Sequence, residues 1–282
     1  MLTCDWLPDL DPAERPVVPA LRDLGLDVSV EVWTDPSIDW GAFDLLFVRC
    51  VWDYFNRHDE WVGWTRRVEG LVPVANPPDT LRWNSAKDYL RDLAETGVRT
   101  LPTTWLERGA SADLPALLAE RGIDDAILKP TVGGGSLGLH RVDPADPGAA
   151  QAHLDSLLAA GDVMVEPFLP SIVERGELSV VCLDGRPSHA VRKTPRAGDI
   201  RVQPEHGGHV EAAEPEPDEW EQVERVLAAV SDRDLAYARV DLVRDGDSRP
   251  ALIELEAIEP RLFMDHSAGA AERVARTIAA RL

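Results

Sequence analysis

Cysteine is scarce in this sequence: Cys4, Cys50 and Cys182 are the only three in 282 residues, and they lie far apart. With no CxxC and no Cys/His spacing, neither a disulfide framework nor a zinc site is supported. Basic residues are outnumbered, 29 against 50 acidic ones, for a net charge of -21. A surface of that sign repels nucleic acid and anionic membrane, so neither is expected as a partner. Long apolar runs are missing as well. No window approaches a membrane span, and Met1-Leu2-Thr3-Cys4-Asp5-Trp6 contains no basic stretch leading into an apolar one. A cytoplasmic protein is the expectation. There is no internal repeat and no low-complexity tract.

What is present is enough apolar material, 44%, to fill real cores. The length is too great for most single cores and fits two or three packed lobes. Residues 14–25 read as a helix ending at Gly25, followed by a strand at 27–32. Residues 43–49 read as a buried strand. Residues 59–69 return to helical spacing, with Trp61, Trp64 and Val68 on one face. This alternation predicts a small open α/β sheet with helices on its faces. Pro73, Pro77 and Pro78 punctuate its end, which sets a first domain at 1–80.

Beyond it the pattern predicts a helix at 85–96, a strand near 99–105, a helix near 112–121 and a strand at 126–130. Strands follow at 138–142, 162–168, 177–184 and 187–193. Residues 194–217, rich in proline, glycine and charge, read as a long mobile loop. A helix begins near Asp218, with Glu221 three residues on as in a capping box. Strands at 236–243 and 250–256 precede a C-terminal helix at 265–281.

Two clusters carry chemistry. The first is Gly133-Gly134-Gly135-Ser136-Leu137-Gly138. It matches G-x-G-x-x-G formally, but that fingerprint requires a following helix, and Leu139-His140-Arg141-Val142 reads as a strand. No Lys-Ser/Thr follows the glycines, so it is not a P-loop either. Here the lysine comes first: Lys129 ends an apolar strand before the turn. Such a hairpin flap can cradle phosphate oxygens on backbone N–H groups of Gly134, Gly135 and Ser136 while the lysine supplies charge. The competing reading is an ordinary glycine-rich hairpin with a solvated lysine.

The second cluster is acidic: Arg239-Val-Asp241-Leu-Val and Leu252-Ile-Glu254-Leu-Glu256-Ala-Ile-Glu259-Pro260. In a strand, Glu254 and Glu256 point to one face. Asp241 lies on the preceding strand across a short connection, so three carboxylates converge. Unpaired, they repel. A Mg²⁺ ion bridging nucleotide phosphates relieves the repulsion.

In this order and spacing the clusters resemble the ATP-grasp superfamily, over nearly the whole chain. Further segments carry the resemblance: Arg82-Trp83-Asn84-Ser85-Ala86-Lys87, Glu166-Pro167-Phe168-Leu169-Pro170, Ser188-His189-Ala190-Val191-Arg192-Lys193 and Gly198-Asp199-Ile200-Arg201. Among subgroups it is most similar to the D-cycloserine synthetases, with glutathione synthetase and RimK-type ligases further off. The resemblance implies an ATP-grasp fold: an N-terminal α/β domain, a central lobe at 81–165 carrying the flap, and a C-terminal lobe at 166–282. It implies ATP and Mg²⁺ as cofactors. Lys87 and Lys129 would contact phosphates, and Glu166 to Leu169 would form the hinge that reads adenine. Glu177, with Glu174 as a rival, would accept from ribose hydroxyls. Arg192 and Arg201 would contact the terminal phosphate and the substrate carboxylate. Asp241, Glu254 and Glu256 would hold the metal, although relatives often have Asn in place of Glu256. Many relatives are dimers, so a homodimer is also implied.

The resulting expectation is an ADP-forming ligase of antibiotic-biosynthesis type, acting on a small carboxylate. An acyl phosphate would be attacked by nitrogen, within the same molecule as in D-cycloserine formation from an O-ureido-serine, or from a second one as in peptide and amide ligases. A Rossmann oxidoreductase and a non-catalytic nucleotide-binding module are the rivals from other classes. Val51-Trp52-Asp53-Tyr54 follows the strand at 43–49, beyond which an open sheet has its crevice. Trp52 and Tyr54 either touch the acceptor substrate or pack the lobe interface. His189, His206 and His209 show no ligand spacing, and His206 sits in the loop expected to close over the site.

Overall fold

A computed structural model describes residues 1–282, whose strands form three sheets. The first is parallel, in the order β2-β1-β3, built from β1 (Leu2–Thr3), β2 (Glu31–Val32) and β3 (Val48–Cys50). Its helices are α1 (Val17–Asp23) and α2 (His58–Val68). The helical spacing of Trp61, Trp64 and Val68 does bury them, each fully. Trp61 and Trp64 stack at 5.1 Å, and Trp33 and Trp40 meet them edge-on. This aromatic core occupies the space that long strands fill elsewhere.

The expected helix at 85–96 is the shorter α4 (Tyr89–Glu95), and a separate helix not expected from the sequence, α3 (Pro78–Asn84), precedes it across residue 80. Between them the Lys87 N–H leaves the helical ladder to donate to Thr131 O (2.9 Å), which sets Lys87 beside the flap. The second sheet is antiparallel, in the order β4-β7-β5-β6, from β4 (Thr104–Leu106), β5 (Ala126–Pro130), β6 (His140–Arg141) and β7 (Val163–Pro167). It is backed by α5 (Leu114–Arg121) and by α6 (Pro147–Ala160), a helix that the sequence reading does not assign. Asp146 caps α6 by accepting from Ala149 N (3.0 Å), and Ala150, Leu154 and Leu158 are its buried face.

The third sheet is antiparallel, in the order β10-β9-β8-β11-β12. After the short α7 (Ser171–Glu174), its strands are β8 (Glu177–Leu183), β9 (Arg186–Thr194), β10 (His209–Ala212), β11 (Tyr237–Arg244) and β12 (Pro250–Glu256). Thus the segment 194–217 is not wholly loop: residues 209–212 pair as β10 along β9. Helix α8 (Pro217–Ala229) starts one residue earlier than expected, and its capping box is Glu216 with Glu219 rather than Asp218 with Glu221. Pro217 at the first helical position fixes that start. Helix α8 covers one face of the sheet with Val223, Val226 and Leu227.

The last helix, α9 (Ala270–Ala279), is shorter than expected and packs on α1. Their core joins Val17 and Leu21 to Val181, Tyr237, Val274 and Ile278, so it crosses residue 80. Four consecutive carbonyls after β12 are gripped by side chains. Ala257 O accepts from Asn76 Nδ2 (2.6 Å), Ile258 O from Tyr237 OH (2.9 Å), Glu259 O from Trp52 Nε1 (3.2 Å) and Pro260 O from Arg49. Arg49 is itself buried against Glu14, which accepts from Leu262 N–H. No helix is long and apolar enough to cross a membrane.

Candidate active site

One cavity of about 540 Å³ lies between the second and third sheets and the N-terminal lobe. Its floor is the face of the third sheet opposite α8. Leu178, Val180, Val240, Leu242 and Leu255 point to the α8 side, so their alternating neighbours point into the cavity. Asp241 pairs across the ladder with Glu254, and Arg239 with Glu256. Asp241, Glu254 and Glu256 each place a carboxylate oxygen within 4.8 Å of the others. Three hard oxygen donors at that spacing fit a Mg²⁺ ion.

The floor is densely ion-paired. Glu254 Oε1 meets Lys87 Nζ at 2.9 Å. Arg239 bridges Asp241 (2.7 Å) and Glu256. Lys193 meets Glu177 and lies 3.6 Å from Asp241, whose other oxygen accepts from Ser179 Oγ (2.6 Å). Burial works against the Asp241 charge, but Arg239 and Lys193 outweigh it and hold its carboxyl well below the usual range. Glu256 and Glu177 respond the other way. Burial pushes each up to about 7, against the lowering pull of Arg239 on Glu256 and of Lys193 on Glu177. Lys87, although buried, is held above its usual pKa by Glu254. Gly176 makes the Glu177–Lys193 pairing possible. Its φ is +79°, and a Cβ there would lie 2.3 Å from Lys193 O.

The roof is the flap. Lys129 Nζ reaches Glu166 at 2.8 Å, and Thr103 Oγ1 donates to the same carboxylate (2.8 Å). Lys87 Nζ donates to Gly133 O (2.7 Å). Gly134 presses on the Phe55 ring so closely that a Cβ would lie 2.9 Å from it. The segment after β9 is docked on the flap tip: Ser136 Oγ donates to Gln203 Oε1 (2.8 Å), and His206 Nε2 lies 3.1 Å from Gly135 O. The same segment brings Arg201 into the cavity wall, its guanidinium forked onto Asp199 at 3.0 and 2.9 Å.

Several expected residues fall elsewhere. Arg192 does not line the cavity. It lies beside Leu178 on the α8 face and pairs with Glu219 at 3.3 Å, while Lys193, one residue on, points inward. The side chains of the expected hinge also lie off the cavity wall. Glu166 is turned onto Lys129 and Thr103, the Phe168 ring is covered by Arg141 at 3.7 Å with its N–H donated to Asp125 O, and Leu169 packs by Leu101 and Val243. Pro167 is half-buried and outside the lining. Glu174 is exposed on α7, whereas Glu177 is buried and lines the cavity. Trp52 and Tyr54 line the cavity and pack as well: Trp52 sits between Trp6 and Arg261, and Tyr54 against Trp61. His189 Nε2 is spent on Leu262 O (2.8 Å).

Among the charged cavity residues that the sequence reading does not name as site residues are Lys193, Arg239 and Glu259. Lys193 and Arg239 stand one ladder position from residues that it names, and the sheet register alone brings them inward. Glu259, in the turn after β12, lines the cavity without ion pair. Burial, then the charges of Glu256 and Glu254, push its carboxyl well above the usual range.

Residues 1–76 match the family described as D-cycloserine synthetase DcsG, N-terminal domain, and residues 98–260 match that of prokaryotic glutathione synthetase, ATP-grasp domain. The chain is 31% identical over 95% of its length to the cycloserine biosynthesis protein DcsG of Streptomyces lavendulae, covering 93% of that protein. It is 30% identical to a glutathione synthetase of Prochlorococcus marinus over 61% of this chain, and spans about half, 54%, of that relative's length. Among solved structures, D-cycloserine synthetase DcsG superposes with a TM-score of 0.89 at 30% identity, covering 99% of this chain and 98% of that one. A D-alanine–D-alanine ligase from Bacillus anthracis complexed with ATP gives 0.70 at 16% identity, covering 99% of this chain and 94% of that one, a likeness of fold.

Proposed function

Because the chain belongs to the ATP-grasp superfamily of ADP-forming ligases, we propose that it converts the carboxylate of a small amino-acid derivative into an acyl phosphate that a nitrogen nucleophile then attacks. The observation that carries this reading is the convergence of Asp241, Glu254 and Glu256 on a floor facing Lys87, Lys129 and the flap across one cavity. Asp241, Glu254 and Glu256 would hold Mg²⁺, which, when bound, neutralises charge on the outer phosphates. Lys129 and Lys87 exchange Glu166 and Glu254 for phosphate oxygens, and the N–H groups of Gly134, Gly135 and Ser136 close over them. Glu177 takes the ribose hydroxyls. Ile172 and Ile253, which line the cavity, would pack against adenine, and the backbone of the hinge at Glu166–Leu169 would read it. Arg201, released from Asp199, orients the substrate carboxylate against the γ-phosphate; Lys193, not Arg192, is the β9 cation that reaches this space.

In the first step a carboxylate oxygen bonds to the γ-phosphorus and the bond to ADP breaks. In the second the nitrogen bonds to the acyl carbon and phosphate leaves. The docked segment 199–208 and the flap exclude water, which would otherwise hydrolyse the intermediate. Attack from within the same molecule is the preferred route. Its support is the similarity over nearly the whole chain to a cycloserine biosynthesis protein. An intramolecular nucleophile needs no second pocket and gains effective concentration. A homodimer, by similarity to relatives, is the proposed assembly.

The test is incubation of the protein, ATP and Mg²⁺ with O-ureido-serine alone, followed by nucleotide analysis and product mass. ADP, phosphate and a cyclised product are expected. AMP and pyrophosphate would overturn the acyl-phosphate route, and turnover only after a separate amine is added would overturn cyclisation.

A further inference from the structure

Six carboxylates line the cavity, and their pairing separates one from the rest. Glu177 is paired with Lys193, Asp241 with Arg239 and Lys193, Glu254 with Lys87, and Glu256 with Arg239. Glu205 is exposed on the docked segment. Glu259 is the one that is half-buried and makes no ion pair. A carboxylate kept in such a place without a partner is costly unless a ligand supplies the partner.

The backbone that carries Glu259 is held on both sides. The carbonyl of residue 257, 258, 259 and 260 is each held by a separate side chain, from Asn76, Tyr237, Trp52 and Arg49. The Ala257 N–H is held by Asn84 Oδ1 (2.6 Å). A turn anchored on both sides has little freedom to swing its carboxylate onto a protein cation, and this kind of support marks a preorganised contact. Beside it in the cavity wall stand Trp52, whose Nε1 donates to the Glu259 carbonyl, and Tyr54 of the N-terminal lobe.

We propose that Glu259 receives the α-ammonium group of the substrate, so that the substrates of this protein are free α-amino acids bearing the nucleophile in the side chain, not N-acylated acids or peptides. This rests on the ligase reading above. The ammonium remains unreacted and positions the molecule: one end is held at Glu259, and the carboxylate is turned towards Arg201 and the phosphates.

The test compares O-ureido-serine with its N-acetyl derivative and with the same acid lacking the amino group. Phosphate release and binding are both measured, with the native protein and with Glu259→Gln. With the native protein, the free amino acid is expected to show a KM about 10- to 100-fold below that of either analogue, the range set by one charge-assisted hydrogen bond. Glu259→Gln should raise the KM of the amino acid by that factor, leave the analogues unchanged, and retain native affinity for ATP and Mg²⁺. Equal KM values for the three acids, or a Glu259→Gln variant weakened equally towards all of them, would overturn the assignment while leaving the ligase reading intact. A loss of Mg²⁺ affinity in the variant would instead make Glu259 a metal ligand and overturn it. No phosphate release and no binding with any of the acids would overturn the inference together with the ligase reading for this substrate type.

Discussion

The floor and the roof of the cavity are built on opposite principles. On the floor every residue of β8 and β11 is buried, and the charged groups are locked by ion pairs across the ladder. On the roof Gly135, Ser136 and Gly138 adopt positive φ, Leu137 is 56% exposed, and the tip rests on Phe55, Gln203 and His206. A metal needs ligands that do not move, whereas a nucleotide needs a cover that opens. One cavity satisfies both because the two tasks fall to different sheets.

The comparison is broken most severely at the floor. Glu254→Gln removes one charge from the carboxylate triad and unpairs Lys87; kcat is expected to fall about 100- to 1000-fold, by analogy with loss of a single preorganised electrostatic group. Steady-state phosphate release checks it, and a change below tenfold would show that the triad is not the metal site.

The roof lysine comes next. Lys129→Ala should weaken ATP about 10- to 100-fold by calorimetry, the worth of one charge-assisted contact. The folded state should persist with a lowered Tm, because Glu166 keeps Thr103 as a donor but loses its cation. Unchanged ATP affinity would move phosphate binding off the flap.

The smallest effect is expected at the latch. Gln203→Ala cuts the flap's bond to the docked segment, a neutral contact that contributes about 1 kcal/mol. Hydrogen exchange at 133–138 should quicken several-fold while β11 and β12 stay protected, and kcat should fall less than tenfold. Equal exchange in variant and native protein would show that the Gln203 bond does not hold the flap.

The floor was the most legible part of this molecule because period-two alternation puts Glu254 and Glu256 on one face whatever else happens. The flap was legible from glycine and from the lysine before it. Alternation, however, does not say which face is inward. At β9 it leaves Arg192 and Lys193 as equals, and family resemblance selects Arg192; the register that sets Lys193 opposite Glu177 selects the lysine. Helix α6 was missed because it is rich in alanine, so its apolar stripe is blurred. The break at Ser85–Asp88 depends on a tertiary hydrogen bond to Thr131, and Glu259 acquires meaning only once the carbonyls around it are seen to be held.

Those held carbonyls bear on how such a chain can be cut and grafted. Asn76 alone donates to Tyr237 O and Ala257 O and accepts from Ala236 N–H, at 2.8, 2.6 and 2.8 Å. Replacing the first 80 residues by a foreign lobe without equivalents of Arg49, Trp52 and Asn76 would strip their side-chain donors from four carbonyls, and the side-chain acceptor from the Ala236 N–H, beneath the acidic floor. The place where the sequence changes character is therefore a poor place for the knife. A viable exchange carries the 255–262 turn along with the N-terminal lobe, and the selection of substrate and the footing of the metal ligands travel as a single heritable block.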